Sequence, residues 1–113
     1  MKSKNLKISL LIPVYNGGKY LDRLFSSLMS QDIPHERYEI VCVDDCSKDN
    51  SFELIESYQK RYSNIRLLKN EKNKRLASNI NILVSAAKGE YVWILGQDDY
   101  IQTNCLSKLY RQL

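Results

Sequence analysis

The sequence has few of the residues that mark a disulfide-bonded, membrane-spanning or nucleic-acid-binding protein. Its three cysteines, Cys42, Cys46 and Cys105, form no CxxC pair, so we predict neither a disulfide framework nor a zinc site and expect a reducing cytoplasm. No segment approaches the roughly 20 apolar residues that a transmembrane helix needs. The net charge of +4, without an arginine-rich helix or an aromatic stacking surface, predicts no nucleic-acid partner.

Glycine is also scarce, and the sequence has no glycine-rich phosphate-binding loop. The four glycines form neither a GxGxxG motif after the first predicted strand nor a GxxxxGKS/T motif anywhere. A phosphate-bearing ligand would therefore have to be neutralised by side chains and a metal ion. With 43% apolar and 27% charged residues, the 113-residue chain is otherwise typical of one soluble domain or of part of a larger one.

Four short apolar runs, rich in β-branched and aromatic residues, predict β-strands. They lie at 7–14, 38–43, 65–68 and 90–95. The near-continuous apolar character of the first and fourth runs predicts strands buried in a parallel sheet. An amphipathic segment follows each run, and this alternation predicts an α/β fold with helices on both faces of a parallel sheet in the order 3-2-1-4.

Apolar residues at helical spacing predict four helices. Asn50 and Glu53 also have the spacing of a capping box, which would start the second helix. The apolar positions that would pack against the sheet are Leu21, Leu24, Phe25 and Leu28; Ile55, Tyr58 and Tyr62; and Leu76, Ile80, Leu83, Val84 and Ala87. The apolar face of the fourth helix consists of Leu106, Leu109, Tyr110 and Leu113.

Polar side chains follow three of the predicted strands. Tyr15-Asn16 follows the first strand, Asp44-Asp45 the second and Asp98-Asp99 the fourth. Open α/β sheets bind ligands beyond the carboxyl ends of their strands, so we expect these residues to share one site. Carboxylates can hold a hard divalent cation, which can clamp a diphosphate. Asp98-Asp99 alone would fit a plain polar turn equally well. The other acidic pair, Asp44-Asp45, favours a ligand-binding site.

Four blocks of the sequence together resemble one enzyme family. They are Ile12-Pro13-Val14-Tyr15-Asn16, Val43-Asp44-Asp45-Cys46-Ser47, Lys88-Gly89-Glu90-Tyr91 and Asp98-Asp99. In this order and spacing they resemble the inverting family-two glycosyltransferases with the Rossmann-like GT-A fold, over about residues 7–113. The resemblance implies that residues 1–113 form the amino-terminal, nucleotide-sugar-binding part of such a domain.

The resemblance also implies an activity for the whole enzyme. It would transfer a sugar from a nucleotide-diphosphate-sugar donor, a UDP-sugar by preference, to an unidentified acceptor in the synthesis of cell-surface polysaccharide or glycolipid. Its expected location is the cytoplasm, with peripheral attachment to the inner face of the membrane as an alternative for the full-length protein.

Roles for individual donor-binding residues follow from the resemblance. Pro13, Val14 and Tyr15 would line the pocket for the nucleotide base. Asp45 would accept a hydrogen bond from the imide N–H of the base. Asp44 would orient the loop that follows the second strand.

The resemblance assigns Asp98-Asp99 to the ribose, the diphosphate and a metal ion. Asp98 would contact the ribose or the metal, and Asp99 would coordinate Mn²⁺ or Mg²⁺ bridging the diphosphate, in a DXD-like motif. The family often has a further Asp where this chain has Gly96. The metal would then rest on fewer protein ligands, with water and diphosphate completing its coordination.

No catalytic base is assigned within these residues. The resemblance implies an Asp or Glu later in the chain than Leu113, so this part alone is expected to be inactive. The fourth predicted helix ends with the chain and leaves its apolar face and the edge of the fourth strand uncovered. We therefore expect a truncated domain that forms a homodimer through the fourth strand or fourth helix.

Two alternatives remain for the function. A receiver-like signalling module also alternates strands and helices and binds magnesium through acidic pairs, but its acids follow the first strand, where this chain has Pro13-Val14-Tyr15-Asn16. A nucleotide-sugar-binding fragment without turnover would present the same site as the enzyme.

Overall fold

The computed structural model describes residues 6–113, so the first five residues of the predicted unit lie outside the described residues. Strands and helices alternate along this part of the chain. The elements are β1 (Ile8–Val14), α1 (Gly18–Met29), a single 3₁₀ turn (His35–Arg37), β2 (Tyr38–Asp44), α2 (Ser51–Arg61), β3 (Ile65–Lys69), α3 (Arg75–Ala86), β4 (Tyr91–Ile94) and α4 (Cys105–Gln112). No helix in this range is long and apolar enough to span a membrane.

The four strands form one parallel sheet in the order β3-β2-β1-β4, which confirms the predicted order. β1 pairs with β2 along its whole length, from Ile8 opposite Tyr38 to Val14 opposite Asp44. The pairing of β1 with β4 is shorter and ends with Leu11 opposite Ile94. Because every strand runs in the same direction, the residues that follow β1, β2 and β4 lie at one edge of the sheet.

Helices cover both faces of the sheet, as predicted. On one face, the buried residues Leu21, Leu24, Phe25 and Leu28 of α1 pack with Ile55 of α2 against alternate residues of β1 and β2. On the other face, Leu83 of α3 packs against Leu11, Val41 and Val43. Cys42, Cys46 and Cys105 are free cysteines in this structure.

β4 differs from the predicted buried strand, because it lies at the edge of the sheet. Tyr91 and Ile94 are 47% and 42% exposed, and Val92 is exposed as well. Trp93 is only partly buried, against the same core as α1. An apolar run indicates a strand, but it does not distinguish a central strand from an edge strand of the sheet that residues 6–113 form.

Two helix predictions are also wrong. Leu76 and Val84 of α3 are 61% and 47% exposed, whereas the polar Asn79 is buried on that helix. At the start of α2 the side chain of Asn50 makes no capping hydrogen bond, so the predicted capping box is not formed. Asp49 takes its place, because its Oδ1 accepts the Ser51 backbone N–H at 3.0 Å.

Candidate functional site

The carboxyl ends of β1 and β2 open into a small cavity of about 180 Å³. Four of the predicted donor-site residues line it together, as do three residues that the sequence patterns did not single out for the site. The predicted ones are Pro13, Val14, Tyr15 and Asp45, and the others are Leu76, Asn79 and Gln97. A larger cavity of about 680 Å³ lies along α4, among residues from Ile101 to Gln112, and contains none of the predicted site residues.

Asp45 is the most firmly held side chain of this cavity. Its carboxylate is almost fully buried and accepts the backbone N–H groups of Lys74 at 2.7 Å and Arg75 at 3.1 Å. Oδ1 also accepts the Asn70 amide Nδ2 at 2.9 Å. Burial alone would raise the pKa of the Asp45 carboxyl, but the hydrogen bonds that it accepts outweigh burial and hold the pKa below its ordinary value.

The lowered pKa of Asp45 predicts a dependence of stability on pH. Because the folded state favours the ionised carboxylate, its contribution is complete above the ordinary carboxyl pKa of about 3.9 and is lost as the pH falls through the lower, folded-state value. We expect the difference in unfolding free energy between the wild type and Asp45→Asn to shrink over that acidic range. Urea unfolding of both proteins at a series of pH values measures it, and a difference that grows on acidification would contradict the prediction.

Two buried asparagines support Asp45, and the sequence patterns did not identify them. The Asn70 Nδ2 group also donates to Asn79 Oδ1 at 2.7 Å, and the Asn70 backbone N–H donates to the Asp44 carbonyl oxygen at 2.9 Å. This network joins the end of β2 to the start of α3 and explains why Asn79, a polar residue, is buried. The sequence does contain one sign of this network, because Asn79 is a polar residue among the apolar positions of the predicted third helix.

Asp44 lies outside the cavity and has a structural role. It is buried at the end of β2, and its Oδ2 accepts the Ser47 backbone N–H at 3.1 Å. Ser47 Oγ in turn accepts the Asn16 N–H at 2.9 Å, and Asn16 Oδ1 accepts the Lys48 N–H at 2.8 Å. Asp44 therefore orients the loop after β2, and this loop holds the turn after β1.

Tyr15 stands at the end of β1 with 43% of its surface exposed, where a flat ligand can stack on its ring. Asn16, directly after it, has a positive φ of 49°, which turns the chain sharply into α1. Tyr15 and Asp45 thus face the same cavity from neighbouring strands, one with an aromatic ring and the other with a buried carboxylate.

Asp98 and Asp99 form a tight turn after β4, beside the cavity but not in its lining. Asp99 Oδ2 accepts the Gly96 backbone N–H at 2.7 Å, and the Asp99 N–H donates to the Gly96 carbonyl oxygen at 3.1 Å. A Cβ on Gly96 would lie 3.1 Å from Asp98 Oδ1 and 3.2 Å from Asp99 Oδ2. The two carboxylates therefore converge on the same side of this glycine.

The donor atoms of this turn suit a hard divalent cation. Both side chains are exposed and supply carboxylate oxygens, and Asp98 makes no hydrogen bond among the described residues. Residues 6–113 contain no cluster of three or more His, Cys, Asp or Glu side chains arranged around a common point. The turn therefore offers two carboxylate side chains, which are ligands of the type that hard divalent cations prefer.

A family model for glycosyl transferase family 2 matches residues 9–113, which is nearly the whole chain. The chain belongs to glycosyltransferase family 2. The predicted family and fold class are therefore confirmed, and the receiver-like alternative is not favoured.

Relatives of this family-two chain include two bacterial transferases. It is 38% identical over 106 residues to a poly(ribitol-phosphate) beta-glucosyltransferase of Bacillus spizizenii, covering 93% of this chain and 17% of the relative. It is 36% identical over 106 residues to the glycosyltransferase GlyG of Streptococcus pneumoniae, covering 94% of this chain and 35% of the relative.

The fold of this family-two chain also matches a solved structure. The crystal structure of residues 1–349 of Staphylococcus aureus TarS in complex with UDP-GlcNAc has a TM-score of 0.89 and 34% sequence identity to it. The match covers 94% of this chain and 30% of the TarS chain. The chain thus spans about a third or less of the relatives that it matches.

Proposed function

We propose that this chain forms the donor-binding part of a glycosyltransferase that transfers a sugar from a UDP-sugar to an acceptor hydroxyl. The observation that carries the proposal is the cavity in which the exposed Tyr15 ring and the buried Asp45 carboxylate meet, next to the acidic turn Asp98-Asp99. Relatives that act on poly(ribitol-phosphate), and the complex of TarS with UDP-GlcNAc, support this donor class and an acceptor in cell-surface polymer or glycolipid synthesis.

In the proposed complex, the uracil base stacks on Tyr15 and donates its imide N–H to Asp45. An ionised carboxylate offers about four acceptor positions, and Asp45 already uses three of them for Asn70, Lys74 and Arg75. The remaining position can accept the imide. Pro13 and Val14 complete the wall of the pocket on the side of β1.

Asp98 and Asp99 would hold Mn²⁺ or Mg²⁺ at the diphosphate in this proposal. A bound cation of this kind supplies positive charge that stabilises the departing nucleoside diphosphate. Asp99 orients its carboxylate through the Gly96 N–H, and Asp98 is free to contact the metal or the ribose.

The proposal places the remaining parts of the reaction outside residues 6–113. Inverting transfer needs a base to deprotonate the acceptor hydroxyl, and we propose that an Asp or Glu of another segment of the enzyme supplies it. The chain by itself would bind the donor without turnover. We propose a cytoplasmic location for the enzyme, with attachment to the inner face of the membrane as a variant.

The metal requirement gives a direct test of this function. We expect UDP to bind in the presence of Mn²⁺ or Mg²⁺ and to lose at least about tenfold in affinity when a chelator removes the metal, because two carboxylates would otherwise repel the diphosphate. Isothermal titration calorimetry with and without chelator measures this change. Equal affinity under both conditions would remove the metal from the proposal, and no binding of UDP under either would overturn the donor assignment.

We further propose that the chain forms a two-fold homodimer through β4 or α4. Tyr91, Val92 and Ile94 leave an apolar surface at the open edge of the sheet, and Leu109 and Leu113 extend it along α4. An unpaired strand edge with apolar neighbours favours association with a second copy.

Light scattering over a dilution series measures this dimer. Val92→Lys, which places a charge on the exposed edge, is expected to shift it toward monomer. Val84→Lys, at an equally exposed valine of α3 outside β4 and α4, is the matched control and should leave the mass unchanged. A wild-type chain that remains monomeric at the highest concentration would contradict the dimer.

A further inference from the structure

Gln97 connects two parts of the candidate site that come from different strands. Its side-chain Oε1 accepts the backbone N–H of Tyr15 at 2.9 Å, and its Nε2 donates to the Tyr15 carbonyl oxygen at 3.1 Å. The primary amide therefore pairs with both polar groups of one backbone residue. No charged side chain can do this, because a carboxylate only accepts and an ammonium or guanidinium only donates.

The pairing occurs where the backbone ladder between β1 and β4 stops. The last such bond joins the Leu95 N–H to the Leu11 carbonyl oxygen at 2.9 Å. Beyond it, Pro13 has no N–H to donate, so β1 cannot continue regular pairing with the chain after β4. The Gln97 side chain restores the connection two residues beyond Pro13, at Tyr15.

Gln97 also fits closely against the start of α1. A Cβ on Gly17 would lie 2.5 Å from Gln97 Oε1 and 2.8 Å from its Cδ, so only glycine leaves room for this amide. Among residues 6–113, the hydrogen bonds that connect residues 96–100 to other parts of the chain all involve the Gln97 side chain. Gln97 therefore makes the hydrogen bonds that join this turn to Tyr15. The chain on either side of the turn is held separately, by the Leu95 N–H to the Leu11 carbonyl oxygen and by the Ile101 N–H to Ser27 Oγ at 3.1 Å.

We propose that Gln97 is a positioning residue that fixes the acidic turn to the nucleotide-base pocket. This inference rests on the proposed function, which assigns Tyr15 to the base and Asp98-Asp99 to the metal and the diphosphate. A base and a diphosphate are joined by one ribose, so their two subsites must keep a constant separation for both to be used. Gln97 sets that separation without contacting the metal.

The first experiment tests the connection without any ligand. Backbone ¹⁵N relaxation of the 113-residue chain is expected to give order parameters near 0.85 for residues 97–100 in the wild type and below about 0.6 in Gln97→Ala. Gln97→Glu keeps the acceptor for the Tyr15 N–H but loses the donor, and should give intermediate values. Gln102→Ala, at an exposed glutamine with no side-chain hydrogen bond among the described residues, is the matched control and should not differ from the wild type. Unchanged order parameters in Gln97→Ala would overturn the proposal.

The second experiment tests the consequence for binding. Uridine binding without metal, measured in the wild type and in Gln97→Ala, gives the baseline for each protein against which its metal-dependent gain is compared. In Gln97→Ala, the gain in UDP affinity from added Mn²⁺ should fall about tenfold, a size usual for coupling between two sites. A wild-type-like metal gain in Gln97→Ala would overturn the positioning role even if the turn had become mobile.

The two experiments separate this inference from the proposed function. If the wild type bound neither uridine nor UDP, the proposed function would fail, and the positioning of a donor would fail with it, whatever the order parameters. If the wild type bound UDP with Mn²⁺ and Gln97→Ala behaved like it, only the inference would fail. Circular dichroism of each variant confirms that a change in binding does not come from global unfolding.

Discussion

Asp45→Ala is expected to reduce UDP affinity by at least about a hundredfold, the largest effect of any single change in the cavity. The substitution removes the acceptor for the base and also the carboxylate that fixes the 70–75 loop through Asn70, Lys74 and Arg75. Hydrogen bonds to a charged group contribute about 1.5–3 kcal/mol each, and 1.4 kcal/mol corresponds to a factor of ten in affinity. Loss of the base contact together with movement of the loop therefore exceeds two factors of ten.

Calorimetry with UDP in the presence of Mn²⁺ measures this loss. Asp32→Ala is the control, because Asp32 is exposed and its side chain makes no hydrogen bond among the described residues. That variant should bind UDP like the wild type. A wild-type affinity in Asp45→Ala, with the fold intact by circular dichroism, would show that the base lies elsewhere.

Asp99→Asn is expected to remove most of the advantage that Mn²⁺ gives to UDP binding. The amide keeps the size of the carboxylate but loses its charge, and a metal ion near a diphosphate contributes several kcal/mol of charge stabilisation. We expect the Kd for UDP in Mn²⁺ to rise by about a hundredfold, toward the value that the wild type shows with chelator.

Asp44→Asn provides the matched control for this change. It makes the same replacement at the same edge of the sheet, at a buried residue that lies outside the cavity lining and can still accept the Ser47 N–H through its amide oxygen. Metal-dependent binding should fall much less in this variant. Equal losses in the two variants would mean that the charge of the edge, and not the Asp98-Asp99 turn, holds the metal.

The order of the strands could be predicted from the sequence because the alternation of strands and helices leaves few ways to connect a parallel sheet. The central strands β1 and β2 had apolar residues on both faces, and the structure buries them on both faces. β4 had the same composition but lies at the edge. Composition records the apolar character of a strand, whereas its place in the sheet depends on which other segments pack beside it.

The candidate site was only partly predictable for a similar reason. Tyr15 and Asp45 follow strand ends and Pro13 is the next-to-last residue of β1, and topology alone brings such residues together. Asn79 and Gln97 act through side-chain hydrogen bonds, which periodicity does not record: Asn79 bonds to Asn70 across a loop, and Gln97 bonds to Tyr15 at the end of the neighbouring strand. Periodicity counts apolar residues, so it assigned Leu76 to the core and missed the buried asparagine on the same helix.

The position of β4 also determines when the candidate site is complete during folding. β1 pairs with β2 across a single helical crossover, whereas the segment between β1 and β4 contains β2, α2, β3 and α3. Closing a longer loop costs more entropy, and β4 has a short ladder and exposed side chains, so we expect β4 to dock late and to open before β1 and β2 do. Amide hydrogen exchange in the acidic turn after β4 is then expected to proceed through partial opening while β1 and β2 remain protected.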